Sequence, residues 1–135
     1  MLAVIDTNVI VSALITRNEQ SPTIQVLHCI FSGEIVPLYE DAILKEYREV
    51  LSRPKFKLTS SQIDRTVNFI KEHGMHCDRV AYLSDMPDEK DRVFYEVSLS
   101  IDESYLVTGN LKHFPQTPKV VTPSQMMELI HKEQA

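Results

Sequence analysis

Short apolar runs alternate with amphipathic, capped stretches from one end of this chain to the other, and that alternation restricts its fold more than any other feature. Leu2 to Ile5 reads as a buried strand and Ile35 to Leu38 as a second. A third falls within Met75 to Leu83, Tyr105 to Thr108 is a fourth, and Val120-Val121 a fifth. Helical stretches lie between them. Val9 to Leu14 begins one, and Ser21-Pro22 caps the next, which carries Ile24, Leu27 and Phe31 and stops at Gly33. Asp41 to Ser52 is amphipathic, with Ile43, Tyr47, Val50 and Leu51 on one face, and Pro54 ends it. Thr59 and Gln62 have capping-box spacing before a helix burying Ile63, Val67 and Ile70, and Gly74 breaks it. Asp88 to Ile101 is helical, and Thr122 to Gln125 is a second capping box that opens the last helix. Strands that alternate with helices in this way predict a parallel sheet covered on both faces.

Size and composition set the bounds. The chain has 135 residues, which predicts one domain over 1–135, and its 43% hydrophobic content is enough for an ordinary core. The longest apolar stretch, Val9 to Ile15, is far too short to span a bilayer, and Asp6 interrupts the first apolar run, so neither a membrane segment nor a signal peptide is expected. Cys29 and Cys77 give no disulfide framework. A cytosolic protein is the expectation. The net charge of −5 argues against nonspecific coating of nucleic acid, but a nuclease keeping carboxylates around a cation is compatible with it.

In an open parallel sheet, functional side chains collect at the carboxyl ends of strands, where strand order reverses. Asp6 ends the first strand and Asn110 follows the fourth, just after Gly109; if those strands are neighbours, the two residues meet. Asp6 is equally readable as a cap for the helix beginning near Thr7 or Asn8. Glu46 borders the apolar stripe of its helix, a position that more often meets solvent than a crevice. Asp88 is best explained as an N-cap after Pro87, whereas Asp91, three residues before Phe94, is less well explained by capping and is the better candidate ligand.

These positions together resemble the PIN-domain nucleases, especially the toxins of the VapC kind. The resemblance is carried by Val4-Ile5-Asp6-Thr7-Asn8-Val9, by Glu46 in Glu-Tyr-Arg-Glu-Val-Leu, by Asp91 in Asp-Arg-Val-Phe-Tyr-Glu, and by Leu106 to Pro115. It implies a three-layer α/β/α fold with a five-stranded parallel sheet. It also implies Mg²⁺- or Mn²⁺-dependent cleavage of single-stranded RNA, often by a homodimer, with a small antitoxin protein as partner. The family's acidic ligands fall on Asp6, Glu46 and Asp91. Its frequent fourth acid falls on position 110, where this chain has neutral Asn, which weakens the case for two ions held at once.

The expected chemistry is in-line attack of an activated water on a phosphodiester. Asp6 and Asp91 are the main ligands, Glu46 orients water or acts as base, and Asn110 offers a carbonyl or a hydrogen bond. Thr7, Asn8, Asp88 and Thr108 support the site, with Thr7 or Thr108 positioning water. Lys112 and His113 are placed to touch substrate phosphates. Arg53 and Lys55, in a loop that interleaves charge with Phe56, either grip the RNA backbone or simply meet solvent, the blander reading being favoured.

Competing readings rank lower. His73, His76 and Cys77 invite a zinc site, but no second ligand pair has the required spacing. A non-catalytic relative that binds RNA or protein is suggested by Asn110 and opposed by the three acids. A phosphoacceptor receiver domain would want a Lys after the fifth strand, where Thr122-Pro123 stands.

Overall fold

The computed structural model describes residues 1–134. Its centre is a five-stranded, wholly parallel sheet in the order β3-β2-β1-β4-β5. The strands are β1 (Leu2–Ile5), β2 (Val36–Tyr39), β3 (Met75–His76), β4 (Ser104–Val107) and β5 (Val120–Val121). The helices are α1 (Thr7–Ile15), α2 (Pro22–Ser32), α3 (Asp41–Leu51), α4 (Ser60–His73), α5 (Arg92–Ser98) and α6 (Pro123–Gln134). Helices cover both faces, as the three-layer α/β/α expectation required. The central strands are apolar without alternation because neither face meets water: Ala3, Val4, Ile5, Leu106 and Val107 are all fully buried.

The helix signals act as the local chemistry predicts. Ser21 accepts from the Thr23 amide at the start of α2, and Gly33 closes that helix with φ +88°. Both bonds of the Thr59/Gln62 capping box are made, and the Thr122/Gln125 pair makes the same two bonds at 2.9 and 3.1 Å. Gly74 has another role. A Cβ there would lie 2.5 Å from the carbonyl oxygen of Pro37 and closer still to that of Ile70, so backbone must move to admit one. Gly74→Ala should therefore cost about 1–3 kcal/mol in urea unfolding, and an unchanged midpoint would refute the close approach of α4 to β2.

Two elements depart from the sequence expectations, while the first helix starts at Thr7, two residues before the apolar run from Val9 and within the start near Thr7 or Asn8 that the cap reading of Asp6 implied. The third strand shrinks to two exposed residues, Met75 and His76. The helix expected over Asp88 to Ile101 resolves into a 3₁₀ turn at Glu89–Asp91 and a seven-residue α5. The hydroxyls of Ser98 and Ser100 turn back onto the carbonyls of Tyr95 and Val97 at its end, and the Lys119 ammonium caps the carbonyl of Ser98.

The order of strands fixes where a site can form. From β1 the chain steps to β2 and β3 on one side, and from β4 to β5 on the other. The order reverses between β1 and β4, and a crevice opens beyond their carboxyl ends.

Candidate metal centre

The crevice is built first by backbone. The Asp6 amide donates to the Val107 carbonyl at 2.9 Å, which locks the end of β1 to the end of β4. The phenol of Tyr47, on α3, is buried and donates to the carbonyl of Ile5. Burial, together with the charges of Asp6 and Glu46, pushes that phenol well above its ordinary pKa, so it stays a donor. Asp6 thus leaves the strand at a point held from two directions.

Its carboxylate is 5% exposed and accepts a hydrogen bond from the Thr108 hydroxyl at 2.7 Å. Thr108 in turn accepts from the Asn110 amide at 3.0 Å, and the Gly109 amide donates to the Asn8 side chain at 3.2 Å. These contacts join residues about a hundred positions apart into one floor. Thr7 contributes differently: its hydroxyl donates to Glu46, bringing α3 against the start of α1. Asp6 itself makes no side-chain cap bond to α1, so capping does not account for it.

A groove of about 460 Å³ lies over this floor. Asp6, Thr7, Asn8, Glu46, Arg53, Asp88, Asp91 and His113 line it, among the residues singled out from sequence. Thr108 sits behind Asp6 rather than on the surface of the groove, and Asn110, Lys112 and Lys55 are not in its lining. Val11, Ile15, Val50 and Phe56 supply an apolar wall, and Lys90 a cation; of these the sequence pointed only to Phe56 as part of a site, Val50 having been read as a core-facing residue of its helix. Lys90 follows Asp88 in the 3₁₀ turn and has no sequence signal beyond that. The Lys55 ammonium lies 5.1 Å over the Phe56 ring, so Lys55 reaches the groove only by holding an aromatic that lines it. A larger depression, about 1070 Å³, opens at the amino ends of β1 and β4, where parallel sheets do not place their chemistry.

Electrostatics sets the groove apart. Asp6 has its pKa raised to about 7, chiefly by burial and further by Asp91 and Glu46, against the lowering effect of the Thr108 hydroxyl. Asp91 is raised to about 6 by burial and by Asp88, with His113 opposing and Glu46 adding. Carboxylates from the residue after β1, from α3 and from the turn before α5 therefore feel one another's charge. A group of negative oxygens that strains against its own ionisation is a fit for a divalent cation, which takes hard oxygen donors and removes the repulsion.

Among the described residues, the closest set of three possible ligands is not the trio expected from sequence but Asp88, Asp91 and His113, whose donor atoms lie within 4.8 Å of one another. His113 Nδ1 is 3.2 Å from Asp91 Oδ2 and 3.8 Å from Asp88 Oδ2, while Nε2 meets the Asn110 side chain at 2.8 Å. Asn110 thus faces the histidine and not the groove. Asp88 also accepts from the Lys90 amide at 3.1 Å, so the N-cap expected of it is made while it lines the groove.

Outside the groove, Glu96 is a buried carboxylate with no counterpart in the sequence expectations. It accepts from the Arg79 guanidinium at 2.7 Å and from the Tyr82 amide at 2.8 Å, and these partners hold its pKa below the usual range despite burial. That contact hangs the irregular segment before the Asp88 turn on α5.

Among the described residues no helix is long and apolar enough to cross a membrane. No curated protein matches the chain. The family model described as PIN domain matches residues 3–112, which runs from β1 through the turn carrying Asn110 and Lys112. With that match over most of its length, and with acidic side chains gathered at the switch point of a parallel sheet, the chain belongs to the PIN-domain family, whose members are generally nucleases.

Proposed function

We propose that this protein is a divalent-metal-dependent endoribonuclease that cuts single-stranded RNA and serves as the toxin of a toxin–antitoxin pair. The observation that carries the reading is one groove lined by Asp6, Glu46 and Asp91, each from a different segment, with Asp6 buried and its charge opposed by the other two. Asp6 and Asp91 are assigned as the main ligands of Mg²⁺ or Mn²⁺, with Glu46 beside them. Such an ion neutralises charge on the scissile phosphate and makes the attacking water more acidic.

The chain's own groups do the rest. The Thr108 hydroxyl orients Asp6, and the Thr7 hydroxyl holds one oxygen of Glu46, which leaves the other free to take a proton from water. Arg53 and Lys90 at the groove's edge offer positive charge to phosphates on either side of the cut, and Phe56 offers a face on which an unpaired base can stack. The apolar wall formed by Val11, Ile15 and Val50 suits an extended or helical antitoxin segment that covers the groove. A homodimer and a cytosolic location complete the reading.

Treating an active preparation with EDTA should abolish RNA cleavage, and Mn²⁺ in excess should restore it. Undiminished cleavage in EDTA would remove the metal from the mechanism. A competing reading, a non-catalytic relative that only binds RNA or protein, draws on the neutral Asn110, and it predicts tight RNA binding with no Mn²⁺-dependent products. The neighbouring gene is the direct check on the toxin role: a small DNA-binding protein is expected there.

A further inference from the structure

Two residues beside the three assigned carboxylates have no role in the reading above. One is Asn110, which lies behind the groove's lining; the other is the groove residue His113, whose ring is held between Asn110 and the pair Asp88 and Asp91. They explain each other. We propose that the divalent ion assigned above to Asp91 also takes Nδ1 of His113 as a nitrogen donor, with Asp88 as a further oxygen ligand and Asn110 orienting the ring, and that this makes the centre selective for Mn²⁺ and later transition ions over Mg²⁺. The inference rests on the metal-dependent reading above.

The distances fit. Donors about 2.1 Å from an octahedral ion stand about 3.0 Å apart when adjacent and about 4.2 Å apart when opposite. The two Nδ1 to carboxylate distances, 3.2 and 3.8 Å, lie inside that interval, and the separation of the Asp88 and Asp91 oxygens, within 4.8 Å, needs at most a small closing to enter it. Little rearrangement separates the present set from a ligating one.

Asn110 supplies what a ligating imidazole needs on its far side. A histidine that binds metal through one nitrogen almost always has its other nitrogen fixed by a hydrogen bond, and loss of such a partner typically costs 10- to 100-fold in affinity. Here the Asn110 amide group sits 2.8 Å from Nε2. A neutral imidazole that binds an ion through Nδ1 carries its proton on Nε2, where the side-chain oxygen of Asn110 is able to accept it.

The preference for metal follows from donor type. Mg²⁺ gains little from nitrogen and demands oxygen, while imidazole adds affinity for ions along the series from Mn²⁺ upward. A site with only carboxylates has a much weaker bias of this kind.

The test is Mn²⁺ titrated into the tag-free, metal-stripped protein, read by pulsed electron paramagnetic resonance. Bound Mn²⁺ should show modulation from a directly coordinated ¹⁴N, and protein grown with ¹⁵N-histidine should replace that signal with the ¹⁵N pattern. His113→Gln should abolish the nitrogen coupling and lower the ratio of Mn²⁺ to Mg²⁺ affinity by about tenfold or more. His131→Gln, on α6, should leave both unchanged. The isotope exchange needs no variant, so poor folding of His113→Gln does not spare the proposal. Bound Mn²⁺ without nitrogen coupling, or coupling that survives His113→Gln, overturns the nitrogen ligand and leaves the nuclease reading standing. Nitrogen coupling without RNA cleavage overturns the nuclease reading instead. Absence of Mn²⁺ binding overturns both.

Discussion

Asp6→Asn should lower Mn²⁺-dependent RNA cleavage by roughly 10³-fold while leaving the fold intact. The substitution changes one oxygen to an amide nitrogen at the most buried carboxylate of the groove, where Asp6 is 5% exposed. The remaining oxygen can still accept from the Thr108 hydroxyl, and the backbone bond from residue 6 to Val107 is untouched. A lost cation ligand is then the only large change. Asp91→Asn and Glu46→Gln should each reduce the rate as well, and double variants should lose less than the product of the single effects, because groups around one ion act as a unit. Circular dichroism and an unchanged elution volume check the fold. Equal rates for wild type and Asp6→Asn, from preparations purified in parallel, would show that the cleavage does not come from this groove.

The ease with which β1, α2 and the two capping boxes could be read has a common physical cause. Each is specified by neighbours in sequence: a run of buried residues ended by Asp6, a Ser-Pro start, a Thr and a Gln three positions apart. The switch point could be anticipated as well, since it follows from strand order alone once β1 and β4 are taken as neighbours.

What sequence could not carry are contacts between distant residues. The bond from Thr108 to Asp6 spans 102 positions, and that from Tyr47 to Ile5 spans 42, and neither leaves a local pattern. Position alone left Asp6 balanced between cap and ligand, and Glu46 leaning to solvent. The absent cap bond at Asp6 and the Thr7 hydroxyl on Glu46 supply what spacing could not. The expected length of α5 failed for the same reason. Its apolar phase continues to Ile101, but side-chain hydroxyls and Lys119 compete for the carbonyls at its end. Likewise, His113 reads from sequence as a residue for substrate phosphates; only the fold sets its ring against Asp88 and Asp91.

The metal-free protein should become less stable as pH rises from about 4 to about 8, and divalent metal should reverse that loss. Asp6 and Asp91 hold their protons up to about pH 7 and 6 when folded, whereas an unfolded chain releases them near pH 4. Between those limits the native state binds more protons than the unfolded state, so stability falls with rising pH. The contribution of Asp6 is fully present below about pH 4 and is gone above about pH 7. For a rise of that size it amounts to at most about 4 kcal/mol, and the half-exposed Asp91 adds less because solvent screens it. In a domain of this size the melting temperature should drop by on the order of 10 °C between pH 5 and pH 8. Other groups titrate over the same range, so the informative quantity is the difference from Asp6→Asn, which has no charge to bury and should melt higher than wild type at pH 8 but not at pH 5. Mn²⁺ binds only deprotonated carboxylates and stabilises the native state by mass action, so the rise in melting temperature it causes should be large at pH 8 and small at pH 5. Thermal scans of both proteins at both pH values, with and without Mn²⁺, measure all of this. An Mn²⁺ effect of equal size at the two pH values, or the same pH slope in wild type and Asp6→Asn, would mean that the buried carboxylate is not where the cation and the proton compete.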